Sequence, residues 1–250
     1  MCVRPESGER GGVFHVEQGD PGGVSLKKTP DIPVPSAEFL AGLIAGAGLS
    51  VTQGAVLKLF AHAREMLRWN RSIRLTAITD PEEVAVKHVL DSLLLLRFTP
   101  FPGRILDFGS GAGYPGIPLA VALPRSSVVL LESSAKKCAF LSHARRILSL
   151  PNAEVVQGRL EARNPLALGR FEHIVTRATL PAEEMVPLLL PYLVPGGRFL
   201  AMGGPGRGGR KAKPPKKDRS LPRETIPGRT VRFELPLGMG IREIREILAP

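Results

Sequence analysis

The sequence predicts an α/β fold: a mostly parallel sheet with helices on both faces, closed by an antiparallel final pair of strands and preceded by a helical extension. Three observations carry this. From Arg104 onward, short apolar runs at 104–108, 127–132, 153–157, 171–176 and 197–202 alternate with helical stretches near 115–123, 134–149, 160–163 and 181–193. Such alternation builds right-handed crossovers between parallel strands. The first run leads into Asp107-Phe-Gly109-Ser-Gly111-Ala-Gly113-Tyr114-Pro115-Gly116-Ile117-Pro118, where a strand stops at an acid, turns on glycines and enters a Pro-rich helix start. Two last strands, 229–235 and 242–248, close the sheet as the antiparallel pair.

Residues 1–35 are rich in Gly, Pro and charge without periodicity, which predicts a disordered tail. Residues 36–98 read as a helical cap. Pro35-Ser36 opens helices over 37–47 and 52–70, and in the second Ala55, Leu59, Ala63, Met66 and Asn70 recur at helical spacing. A third helix runs from Pro81 to Arg97, with Asp80 as its cap and Pro81 at its first position. Residues 99–250 form the sheet domain, interrupted over 203–223 by a low-complexity basic insert.

The glycine loop is the most informative stretch. Pro115 and Pro118 fall in the first helical turn, where backbone N–H groups have no intrahelical partner. The loop therefore offers N–H groups to a ligand held above it, and Asp107 can accept from that ligand's amino or hydroxyl groups. Gly111-Ala-Gly113-Tyr-Pro-Gly116 also satisfies the dinucleotide fingerprint, and Glu132, ending the next apolar run, suits a ribose-binding acid in either reading. The longer pattern Asp107-x-Gly109-x-Gly111-x-Gly113 is the usual form in S-adenosylmethionine-dependent methyltransferases and tilts the choice toward that cofactor.

Charge and cysteine usage bound the partners. Lysine and arginine total 34 against 23 acids, a formal charge of +11, which points to a polyanion, nucleic acid before membrane. Cys2 and Cys138 have no metal-ligand spacing, so no metal site is predicted and a reduced compartment is expected. No apolar signal segment is visible at the N-terminus, and the run 89–96 is too short and interrupted to span a bilayer. A cytoplasmic protein, away from membranes and monomeric, is expected.

Five motifs now stand in order: Trp69-Asn70-x-x-x-x-Leu75-Thr76, His88-x-x-Asp91-Ser92, the glycine loop, Gly158-Arg159-x-Glu161 and Thr176-Arg177-Ala178. From about residue 50 to 203 the set resembles the RsmG (GidB) family, which methylates N7 of a guanine in bacterial 16S ribosomal RNA. The resemblance implies a Rossmann-like class I methyltransferase sheet, S-adenosylmethionine as cofactor, and 16S RNA or a small-subunit particle as substrate. It places cofactor contacts on Gly109, Tyr114, Leu160, Glu161 and Arg177, with Glu132 as the ribose acid. Two positions depart from the family's usual pattern: Arg74 stands where Asn precedes Leu-Thr, and Gly203 stands where a lysine ends the last central strand.

Guanine N7 has an exposed lone pair and attacks a methyl donor without first losing a proton, so the site needs positioning rather than a strong base. After the fourth strand comes Thr176-Arg177-Ala178-Thr179, neither an Asn/Asp-Pro-Pro cradle for an exocyclic amine nor a cysteine site for C5-pyrimidine adducts. Arg177, at a strand's C-terminal end, is a candidate contact to cofactor or RNA, or a surface ion pair. His88 and Asp91 share a helical face and either satisfy each other against the sheet or shape the guanine pocket. Trp69 reads as a core anchor or a stacking platform, Lys136 and Lys137 as phosphate contacts or a solvated face, and Cys138 as core. The tract carrying Arg207, Arg210, Lys211, Lys213, Lys216, Lys217 and Arg219 reads as an RNA-binding arm or a solubilising linker. Two other classes stay open: a nicotinamide-dependent oxidoreductase on the same loop, which would need a Tyr-x-x-x-Lys that is missing near the fourth strand, and a non-enzymatic RNA-binding protein.

Overall fold

A computed structural model of the chain describes residues 35–98, 100–161, 166–177, 182–204 and 225–250. The N-terminal tail and the basic tract lie outside the described residues, apart from Pro35 at the tail's end and the edges of the insert.

Local sequence rules account for the helical extension. Helix α1 (Ala37–Gly46) starts where the Ser36 hydroxyl accepts from Phe39 N–H at 3.1 Å, and α2 (Gln53–Asn70) starts on Thr52, which accepts from Ala55 N–H at 3.2 Å. These caps satisfy donors that the first helical turn cannot. Asp80 caps α3 (Pro81–Val84) at 2.9 Å with Pro81 in its first turn, as the sequence predicts. The helix expected to run on to Arg97 instead changes pitch: a π-helical stretch Ala85–Leu90, α4 (Asp91–Leu93) and a 3-10 turn Leu94–Phe98 follow. Such π-helical stretches recur where a side chain must be re-aimed at a functional site.

Strands β1 (Arg104–Phe108), β2 (Ser127–Glu132), β3 (Ala153–Gln157), β4 (Phe171–Arg177), β5 (Leu193–Gly203), β6 (Ile226–Glu234) and β7 (Ile241–Leu248) form one sheet in the order β3-β2-β1-β4-β5-β7-β6. The first five are parallel, and β7 pairs antiparallel with both β5 and β6. Strand order reverses between β1 and β4, and in open α/β sheets the carboxyl ends beside that reversal are where ligands bind. Edge strand β6 carries Pro227, which a central strand would not tolerate.

Alternation divides each strand between two cores. Ile105, Val128, Leu130, Val175, Met202 and Ile244 face the extension, α5 (Gly116–Ala122) and α6 (Ala135–Ile147). Leu106, Val129, Leu131, Ile174, Phe199 and Ile247 face α7 (Ala182–Leu189). Each such side chain contributes roughly 1.5–3 kcal/mol by leaving water. The helix expected near 160–163 is not formed at Leu160 or Glu161, and residues 162–163 lie outside the described ones. Leu160 is buried in the second core, where non-polar packing settles its conformation. The helix expected over 181–193 ends earlier, through a 3-10 turn at Leu190–Tyr192, because Pro191 removes a helical donor. Strand β5 then begins at Leu193 and passes a register shift between Phe171 and His173 of β4.

Candidate active site

The glycine loop leaves β1 with Gly109, Gly111 and Gly113 at φ of 76°, 56° and 85°, backbone that only glycine adopts without strain. Sequence reasoning expected its N–H groups to be free for a ligand, and here the structure differs. Gly109 and Ser110 N–H both donate to the Leu131 carbonyl at 3.0 Å, and Gly111 N–H donates to Glu132 Oε2 at 2.9 Å. Gly113 N–H donates to the Ser110 carbonyl, and Gly116 N–H to Asp107 Oδ2 at 3.0 Å. The loop is tied to the end of β2, not held open as a phosphate cradle.

Above it lies a cavity of about 270 Å3 lined by Phe108, Gly109, Gly111, Leu131, Glu132, Ser133, Lys137, Gly158 and Arg159. That is just below the roughly 300–1,000 Å3 common for small-molecule sites. Glu132 is buried, and its Oε1 also accepts from Ser134 N–H at 2.9 Å. A carboxylate has about four acceptor positions; with Gly111 N–H, Ser134 N–H and, at 3.4 Å, the Ser133 hydroxyl donating, one stays open to a ribose hydroxyl. A Cβ on Gly111 would meet only the Gly109 carbonyl, at 3.8 Å, which leaves open space above the loop. A nucleoside with donor hydroxyls therefore fits these residues, whereas a pyrophosphate would find the N–H groups of Gly109, Ser110, Gly111, Gly113 and Gly116 already taken.

The other predicted cofactor residues divide. Asp107 is fully buried beneath the loop, with Oδ2 on Gly116 and Oδ1 without a hydrogen-bond partner; burial pushes its carboxyl up to about 7. Gly113 packs between Ile117 and His62. Leu160 and the exposed Glu161 do not line the cavity, though Gly158 and Arg159 just before them do. Exposed Lys136 does not reach the cavity, half-buried Lys137 does, and Cys138 is core, with its thiol on the Glu132 carbonyl at 3.3 Å.

A second cluster stands on the β4 side of the reversal and joins motifs that are far apart in the chain. Asn70 Oδ1 accepts from Leu75 and Thr76 N–H at 2.8 and 3.0 Å, while its Nδ2 donates to the Thr76 carbonyl at 3.0 Å. That clamp presents the Thr76 hydroxyl 2.9 Å from His88 Nε2. The His88 ring stacks on Tyr114 at 4.7 Å and 15°, and His62 lies 4.5 Å from the same ring. The Arg177 guanidinium lies over Tyr114 at 5.4 Å, donates to the Lys87 carbonyl at 2.9 Å and stands 3.8 Å from Asp91 Oδ2. Arg242 Nε donates to Asp91 Oδ1 at 2.5 Å.

Burial sets the charges of this cluster. Desolvation, helped by Arg177, holds His62 down at about 4 and His88 at about 2, so both rings are neutral at physiological pH. Burial pushes Asp91 up, and Arg242 and Arg177 oppose it; burial likewise lowers Arg177, and Asp91 opposes it. His88 and Asp91 thus share a helical run but find different partners. Ser92, third residue of that motif, donates to the His88 carbonyl at 2.6 Å.

His62 and Arg242 are the functional candidates that sequence reading missed; Thr76 stood in the first motif without a role assigned to it. His62 sits on the apolar stripe of α2 between Leu59 and Met66, and a histidine in such a stripe was its one signal. Nothing in the alternation of β7 marked Arg242. Trp69 packs half-buried on Phe140 and His143 at 5.7 and 5.2 Å, as a core anchor does. Arg74 is exposed, and a Cβ at Gly203 would meet nothing within 4 Å, so the space for a longer side chain is open there.

Over residues 56–210 the chain matches the family described as GidB, rRNA small subunit methyltransferase G. It is 40% identical over 167 residues to the ribosomal RNA small subunit methyltransferase G of Geobacter metallireducens, covering 66% of this chain and 76% of that one. With ribosomal RNA small subunit methyltransferase G 1 of Syntrophobacter fumaroxidans the identity is 35% over 206 residues, 81% of this chain and 91% of the relative. In fold the chain is similar to a putative O-methyltransferase from Klebsiella pneumoniae, with a TM-score of 0.53 at 17% identity, covering 84% of this chain and 94% of that one. At that identity the likeness is one of fold alone.

Proposed function

The chain belongs to the rRNA small subunit methyltransferase G family, and from that premise we propose that it transfers a methyl group from S-adenosylmethionine to N7 of a guanine in bacterial 16S ribosomal RNA. The observation that carries the cofactor reading is Glu132. Its buried carboxylate takes the Gly111 and Ser134 N–H groups and faces a nucleoside-sized cavity. The acid suits a ribose under either cofactor, but the Gly109, Ser110, Gly111 and Gly116 N–H groups that a pyrophosphate would use already donate within the protein, which speaks against the nicotinamide reading.

When bound, S-adenosylmethionine supplies an electrophilic methyl on a sulfonium. Gly109 and Gly111 keep the cavity floor free of side chains, and Glu132 accepts from the ribose. Arg177, His88 and Asp91 border the reaction side, with Tyr114 as the ring beneath Arg177. Neutral His62 and His88 suit chemistry in which no proton is removed from N7 before attack. Alignment of the two reactants can supply roughly 7–11 kcal/mol in ideal cases. Arg207, Arg210, Lys211, Lys213, Lys216, Lys217 and Arg219 serve as an RNA-phosphate arm in this reading; among the described residues, no helix is long and apolar enough to cross a membrane.

The test joins calorimetric titration with S-adenosylmethionine to a methyl-transfer assay on 16S RNA, naked and in small-subunit particles, followed by nucleoside analysis. Cofactor binding with 7-methylguanosine as product is expected. Failure to bind the cofactor, or methyl groups found only on other positions, would overturn the reading.

A further inference from the structure

Asp91 is a carboxylate with no exposed surface, set in a helix where Leu90, Ser92 and Leu93 beside it are buried as well. A buried acid of this kind needs a cation and full hydrogen bonding to stay ionised. The nearer of its two cations comes from β7, beyond the 56–210 stretch that defines the family match. Arg242 Nε reaches Oδ1 at 2.5 Å, whereas Arg177 stands 3.8 Å from Oδ2.

The sheet explains how a residue so late in the chain arrives there. Arg177 is paired with Met202 on β5, and Met202 with Ile244 on β7. Arg242 lies one pleat before Ile244 and so projects from the same face, onto the helical run that carries Asp91. Both arginines are mostly covered, with side-chain exposures of 15% for Arg242 and 17% for Arg177. Asp91 Oδ2 has no hydrogen bond of its own, so it is the open acceptor that faces Arg177.

We propose that Arg242 is a positioning residue for the methyl-transfer reaction: it fixes the Asp91 carboxylate, and Asp91 in turn holds the Arg177 guanidinium over Tyr114 at the edge of the site. The proposal rests on the functional reading given above for Arg177. Arg177 keeps a second anchor in the Lys87 carbonyl, so loss of Arg242 leaves it tethered but free to swing.

The charged groups facing Asp91 are Arg242 from β7 and Arg177 from β4, and His88, a turn earlier on its own helix, is neutral. Burial already raises the Asp91 pKa, and removing one of its two opposing cations raises it further. The form that holds Arg177 is the ionised one, so it is lost as pH falls, and the variant's acid limb must move upward.

The test measures kcat, KM for S-adenosylmethionine and the pH profile of methyl transfer to 16S RNA by the full-length protein. Its variants are Arg242→Gln, Arg242→Lys and Arg177→Ala. Arg242→Gln should lower kcat about 10- to 100-fold, leave KM for S-adenosylmethionine within about threefold, and move the acid limb up by about one unit or more. Arg242→Lys should keep the acid limb near its original place yet recover only part of kcat, because an ammonium cannot reproduce the fixed Nε donor. It also folds with its charge retained, and so decides the matter if the Gln variant does not fold. Normal kcat and an unshifted profile in the Arg242 variants, with Arg177→Ala crippled, overturn the positioning role while the functional reading survives. Normal turnover in Arg177→Ala overturns the role of Arg177 and this proposal with it.

Discussion

On the β2 side of the strand-order reversal, the cavity is built from three consecutive turns of chain. Gly109, Gly111 and Gly158 follow the carboxyl ends of adjacent parallel strands and Glu132 ends the one between, and backbone N–H groups, one of them on the Glu132 carboxylate, hold them together. On the β4 side, Asn70, Thr76, His88, Asp91, Arg177 and Arg242 come from the end of α2, the loop after it, the π-helical run, α4 and two strands, and side chains hold them together. The first arrangement follows from the fold itself, since any chain with this sheet puts those turns side by side. The second requires every partner to be present, because each buried polar atom depends on the next. The two regions should therefore fail in different ways.

The largest effect belongs to the loop side. A Cβ on Gly116 would stand 2.2 Å from Leu130 Cδ2 and 2.5 Å from Asp107 Oδ2, inside a packed core, whereas one on Gly111 would touch nothing nearer than 3.8 Å. Gly116→Val is expected to cost about 3–5 kcal/mol, a severe case of overpacking. Gly111→Val meets no such clash and carries only the strain of a branched residue at φ 56°, about 1–3 kcal/mol, yet should abolish S-adenosylmethionine binding by filling the open space above the loop. Urea unfolding and calorimetric titration of both variants separate the two. Cofactor binding kept by a folded Gly111→Val would mean that the space above the loop is not the cofactor's, and the cavity assignment would fall.

These two glycines also show what a sequence can and cannot reveal. The loop, its entry strand and the acid at the end of β2 were readable because backbone rules fix them locally: strand length, glycine at positive φ, proline near a helix start. All seven strands were readable for the same reason. The pitch change at Ala85–Leu90 was not, because a π-helical stretch is selected by what its side chains must meet elsewhere. Neither was the partner of the Gly111 N–H, which depends on the Glu132 carboxylate turning toward the loop. On the other side, the motifs identified Asn70, His88, Asp91 and Arg177, but not the order in which they touch. Their joints, Thr76, Tyr114 and Arg242, are contacts across 12 to 151 residues of sequence.

The histidines give the next prediction, of intermediate size. His62 titrates near 4 when folded and near 6.5 when unfolded. A histidine with a lowered folded value binds its proton better in the unfolded chain. Its contribution to stability is therefore complete above pH 6.5 and is lost as pH falls toward about 4. By pH 4.5 that loss amounts to about 2–3 kcal/mol from this one group. Asp107, raised to about 7, works in the opposite direction over the same window, because its folded form keeps a proton that the unfolded form gives up. Comparing His62→Gln with the parent at pH 7 and pH 4.5 cancels the aspartate and isolates the histidine. The variant should lose about 2–3 kcal/mol less than the parent on acidification, and parallel losses would show that His62 is not held neutral in the stack.

The smallest effect tests the joint between the extension and the stack. Asn70 uses its carbonyl oxygen twice, on Leu75 and Thr76 N–H, and its amide nitrogen once, on the Thr76 carbonyl. Asn70→Asp keeps the two acceptor bonds but sets a carboxylate oxygen against the Thr76 carbonyl, 3.0 Å from where the amide nitrogen donated, so it should cost about 1–2 kcal/mol. The carboxylate also strengthens the bonds it keeps, since charge-assisted hydrogen bonds are the stronger kind. Thr76 would then stay beside His88, and methyl transfer should remain within a few-fold of the parent. Asn70→Ala releases all three bonds and should lose distinctly more activity, because the Thr76 hydroxyl is no longer presented to the ring. Thermal unfolding together with turnover on 16S RNA gives both readings from one preparation. Should the Asp and Ala variants prove equally impaired, the donated bond to the Thr76 carbonyl would be what fixes the loop, and the acceptor pair would be incidental to the stack.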